Sequence, residues 1–87
     1  MATKNHLGVD GHQRPKDVDD KISLNVASLF STDLGKEVRK YLRSITIDSV
    51  HGAAVSDAEL RHMEGQRYIV GLIEARINHA HRVKQDD

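Results

Sequence analysis

The run SDAELRHMEGQRYIVGLIEARINHAHRVK, from Ser56 to Lys84, decides the fold. Its opening residues, Ser56-Asp57-Ala58-Glu59, make a capping box: the Ser56 hydroxyl accepts from the Glu59 amide while Glu59 reaches back, and Asp57 adds negative charge at the positive end of the helix dipole. Leu60, Met63, Val70, Ile73, Ile77 and Ala80 then recur with helical spacing, and no proline interrupts them before Lys84. Arg76, His79, His81, Arg82 and Lys84 crowd the far end, where the dipole favours cations. At 1.5 Å per residue this is a helix of about 42 Å. Ile69 and Leu72 widen its apolar face beyond one narrow seam, so something must cover it.

Working outward, the next clearest segment is Leu34, Val38, Tyr41, Leu42 and Ile45, a helical stripe with Thr32 placed as its N-cap. Gly35 falls in its first turn, where the helix penalty of glycine is felt least. Before it, Ile22, Val26, Leu29 and Phe30 mark a helix of about three turns capped by Asp19 or Asp20, or the first half of one bent helix running from Asp20 to Ile45. Thr46 to Val55 has neither helical nor strand periodicity and reads as a connecting loop. The expected fold is all-α, with two shorter helices packed on one long C-terminal helix and an extended N-terminal arm. The helical domain spans residues 21–85. Residues 1–20 form the arm, with two glycines, the only proline and four scattered large apolar residues. Leu7 and Val9 are its expected anchors on a partner, and few contacts to Leu34–Lys84 of its own chain are expected.

The composition restricts the chemistry. The 87 residues contain no cysteine, 13 Lys+Arg balance 13 Asp+Glu, and 30% are charged, with no apolar run near the length of a membrane span. Met1 to Asp10 lacks the apolar centre of a secretory signal, so the chain is expected to stay where it is made. Its six histidines, His6, His12, His51, His62, His79 and His81, include no pair three or four apart, and His79 and His81 project about 200° apart on a helix. No metal or other cofactor is therefore expected. Ser49, Asp48 and His51 lack the strand-to-helix elbow of a hydrolase nucleophile, and Glu59 and Glu64 fall on different helix faces, so no catalytic activity or small-molecule substrate is expected. Lys36, Arg39, Lys40 and Arg43 make a basic face that could take phosphate, although Asp33 and Glu37 lie alongside and no aromatic residue interleaves to stack bases. Gly65 and Gly71 interrupt the long helix; together with Leu72 they mark an expected close helix contact, within the chain or to a partner.

The pattern Phe30-x-Thr32-x-x-Gly35-x-x-Val38-x-x-x-Leu42, a loop, an acidic helix start, then Glu64-Gly65-x-Arg67 with Val70, Ile73 and Ile77 resembles a family of small helical accessory proteins of tailed bacteriophages, a group that includes an accessory protein of a Bordetella podophage. The resemblance covers about Leu29 to Ile77. It implies a protein made among the head, packaging and ejection genes, and it carries no catalytic residue across. The expected role is a structural component of the virion, present in the host cytoplasm during assembly and bound to other phage structural proteins or to copies of itself. The alternative is a DNA-packaging or DNA-binding accessory acting through the basic face.

Overall fold

The computed structural model describes residues 5–49, 52 and 55–85. Two short strands, β1 (Asn5–Leu7) and β2 (Gln13–Pro15), precede three helices: α1 (Lys16–Ser31), α2 (Asp33–Ser44) and α3 (Asp57–Gln85). The all-α architecture, with a long helix flanked by two shorter ones, is as the periodicity indicates. Ser56 caps α3 by accepting from the Glu59 amide at 3.2 Å, and the helix runs 29 residues. Thr32 is extended, with φ −70° and ψ 157°, and its hydroxyl accepts from the Gly35 amide at 2.9 Å. α1 and α2 are therefore separate helices. Gly35 has a sharper reason than fraying: a Cβ there would run into the Leu29 carbonyl and the Phe30 backbone where α1 turns into α2.

The N-terminal segment differs from expectation. Helix α1 starts at Lys16, four residues before Asp20, so Asp19 and Asp20 lie inside it. The residues before it fold back as an antiparallel hairpin in which Asn5 pairs with Pro15, His6 with Arg14 and Leu7 with Gln13. Its turn is closed by Gly8 N donating to His12 O at 2.9 Å and Gly11 N donating to Gly8 O at 3.0 Å, with Gly11 at φ 83°. Gly8 is buried, and a Cβ there would strike the Asp19 carboxylate. The two glycines that suggested a loose arm are thus what lets the hairpin close and sit against α1. It also reaches α3, where Tyr68 Oη donates to Asp10 O at 3.5 Å. The segment thus has contacts of its own to α1 and the long helix, where an arm extended away from them was expected; residues 1–4 lie outside the described residues.

The core is thin. The Cα radius of gyration is 15.7 Å, against roughly 12 Å for a compact domain of this length. Among the described residues the buried apolar side chains are Ala27, Val70 and Ala80, and they share the interior with Asp19, Ser23, Thr46 and Arg76. No helix of the described residues is long and apolar enough to cross a membrane.

Candidate functional site

Helix α2 turns its apolar stripe outward. Leu34 is 76% exposed, Tyr41 61%, Ile45 50% and Val38 44%, where the sequence suggested a face lying on the long helix. The spacing of four, three and four is that of the seam of a two-stranded coiled coil. An apolar depression borders each end of this seam. One, of about 170 Å³, is lined by Leu29, Phe30, Leu34 and Val38; the other, of about 370 Å³, by Leu42, Ile45, Ile69 and Val70. Leu29 and Ile69, themselves 63% and 58% exposed, extend the surface on both sides. Together these residues make a continuous exposed apolar face, large for a chain of this size.

What orients α2 this way is charge. Arg39 and Arg43, on the opposite side of the helix from the stripe, both donate to the Glu74 carboxylate of α3. Burial pushes the Glu74 pKa up, but the hydrogen bonds from Arg39 and Arg43 outweigh it and hold the carboxyl below its ordinary value. The same bond to Glu74, helped by Asp48, pushes Arg43 up. The loop after α2 is tied by Arg67, which donates to Thr46 O at 3.2 Å and Ser49 O at 3.1 Å and is steadied by Glu64 at 3.0 Å. Glu64-Gly65-x-Arg67 is in this sense a clasp between α3 and the α2 exit.

Arg39 and Arg43 are accordingly engaged within the chain. Lys36 and Lys40 are the exposed cations of that face; with the two arginines and Asp48 they line a shallow pocket of about 210 Å³. Gly65 and Gly71 have open space where a Cβ would be, so neither marks a close helix contact within this chain. Leu72 is half-buried, Leu7 is exposed at the end of β1, and Val9 is half-buried in the hairpin turn. Of the weighed catalytic trio, Asp48 faces Arg43 at 3.4 Å and the Ser49 carbonyl receives Arg67, while His51 lies outside the described residues.

The sequence reading missed the polar centre between α1 and α3. Arg76, 5% exposed, donates through Nη1 to Asp19 O at 3.0 Å, Asp19 Oδ1 at 2.7 Å and Ser23 Oγ at 3.0 Å. Its Nη2 lies 3.4 Å from Asp10 Oδ2 in the hairpin turn. Arg14 joins from β2, 2.7 Å from Asp10, and that bond, with one from the His12 amide, holds Asp10 far below the usual carboxylate range. His79 adds a hydrogen bond between Nδ1 and Ser23 Oγ at 2.6 Å, and its Nε2 is 3.5 Å from Asp20. The signal was present: Arg76 falls on the α3 stripe between Ile73 and Ala80, and Asp19, Ser23 and Ala27 repeat every four residues. Asp19, Asp20 and His79 each offer one ligand atom within 4.8 Å of the others, a grouping that a search for histidine pairs overlooks. The Arg76 guanidinium already occupies the Asp19 carboxylate, and a second cation beside it would be repelled. The arrangement is an ion-pair network joining the hairpin, α1 and α3.

The profile of the Bbp19-like phage proteins matches residues 26–85, from the second half of α1 to the end of α3. No curated protein and no solved structure matches the chain.

Proposed function

The chain belongs to the family of Bbp19-like phage proteins, and from that premise we propose that it is a structural accessory component of a tailed-phage particle, binding other proteins through its exposed apolar helix faces. The observation that carries the reading is the outward seam of Leu34, Val38, Tyr41 and Ile45, with the charge clamp behind it that fixes its direction. The reading assigns the chain no catalytic step. The DNA reading is weaker, because two of the four cations on the basic face already neutralise Glu74. Purified particles test the proposal. The protein is expected to be detected in them by mass spectrometry and to stay through a high-salt wash, since apolar contacts survive salt that strips phosphate contacts. Absence from particles, or release of the protein together with DNA as salt rises, overturns it.

A further inference from the structure

The α2 seam has a symmetry that names its occupant. Across a two-fold axis placed between Val38 and Tyr41, an antiparallel second copy sets Leu34 opposite the partner's Ile45 and Val38 opposite the partner's Tyr41. The smaller apolar depression at one end of the seam then receives the partner's Ile45, and the larger one at the other end receives the partner's Leu34. Both depressions are filled by one operation, as an isologous interface requires.

The rims agree with the same axis. Glu37 borders the seam on one side, with Ser44 two turns on and Lys40 just outside. None of the ion pairs among the described residues uses Glu37 or Lys40, and both are exposed. In the antiparallel pair each Glu37 comes to lie between the partner's Ser44 and the partner's Lys40, giving two equivalent opposite-charge contacts. A parallel pair would press Glu37 against the partner's Leu42 and bury a carboxylate without a counter-ion. The formal net charge of zero adds no repulsion between copies.

We infer that the α2 face binds a second copy of this chain, antiparallel, so that the accessory unit is a two-fold dimer and other virion proteins meet surfaces such as Leu7 and the start of α3. The inference rests on the reading of the α2 face as a protein-contact surface, but it is tested on the purified full chain alone. A chain that is monomeric yet present in particles defeats the dimer and leaves the particle role standing.

The experiment combines sedimentation with cysteine cross-linking, which is clean here because the chain has no cysteine of its own. The wild type is expected to sediment as a dimer at micromolar concentration. Val38→Glu should raise the dimer dissociation constant at least about tenfold with unchanged helical signal, as a charge placed at an interface centre does. Glu37→Lys should weaken the dimer, and Glu37→Lys combined with Lys40→Glu should restore it, which tests the same geometry should Val38→Glu fail to fold. Leu34→Cys and Ile45→Cys proteins should cross-link when mixed but not separately, since like positions lie about 16 Å apart along an antiparallel pair. A monomeric wild type at about 100 μM, a folded Val38→Glu dimer of unchanged affinity, failure of the charge swap to restore binding, or cross-linking of Leu34→Cys with itself overturns the inference.

Discussion

Arg76 shows how one side chain sets the character of the interior. Its guanidinium is held by two carboxylates, a hydroxyl and a backbone carbonyl, so removing it leaves Asp19, 1% exposed, as a buried charge with only the more distant Arg14, at 3.8 Å, beside it. Breaking such a pair from one side costs about 3–5 kcal/mol, whereas replacing both members by apolar residues of similar volume is close to neutral. Arg76→Met is therefore expected to lower the melting temperature by about 10 °C or more, or to abolish the cooperative transition, and Arg76→Met with Asp19→Leu to recover most of the loss. Calorimetry or thermal circular dichroism checks both. Equal losses in the single and double variants would show that shape, and not charge, holds this seam.

At the scale of elements, the glycines divide by what surrounds them. Gly65 has open space at its Cβ position within a helix, so Gly65→Ala is expected to gain about 0.8–1 kcal/mol from helix propensity alone and to raise the melting temperature by roughly 4–8 °C. Gly35→Ala is expected to do the reverse, since its Cβ would meet the Leu29 carbonyl at the α1–α2 corner. Thermal melts of the two variants should move in opposite directions. The existence of all three helices was legible: the Ser56 and Thr32 caps and the stripes of Leu34 to Ile45 and Leu60 to Ala80 are local signals. Which way α2 faces was not, because periodicity says which residues share a face and nothing about what lies opposite. That direction is set by Arg39, Arg43 and Glu74, which are 35 and 31 residues apart in sequence. That α1 packs on α3 was legible, but the polar make-up of the contact was not: Asp19, Ser23 and Ala27 are small or polar, so their four-residue repeat shows as spacing and not in hydropathy.

Across the whole molecule, the hairpin is a working part of the fold. It supplies Asp10 and Arg14 to the network and seats Gly8 on Asp19. The two glycines and the proline of residues 1–20 suggested an arm because strands of three residues are too short to show a period, and because the partners that hold the hairpin lie in α1 and α3. Deleting residues 1–15 is expected to lower the melting temperature, to weaken amide protection in α1, and to reduce helical signal even though no helical residue is removed. Unchanged protection in α1 would make the hairpin an appendage. The profile match begins at residue 26, so Asp10, Arg14, Asp19 and Ser23 fall outside it while Arg76 falls within.

The lock around Arg76 also has an order of arrival. Its acceptors, in the hairpin and α1, are translated first, and the guanidinium that joins them follows 57 residues after Asp19. Until α3 leaves the ribosome, Asp19 lacks its Arg76 partner, and the earlier segment carries Asp10, Asp17, Asp19 and Asp20 close together in sequence. Arg14 and Lys16, which pair with Asp10 and Asp20, offset part of that charge, and completion of the network waits for Arg76. The outward apolar seam likewise emerges before Glu74, the residue that Arg39 and Arg43 grip behind it.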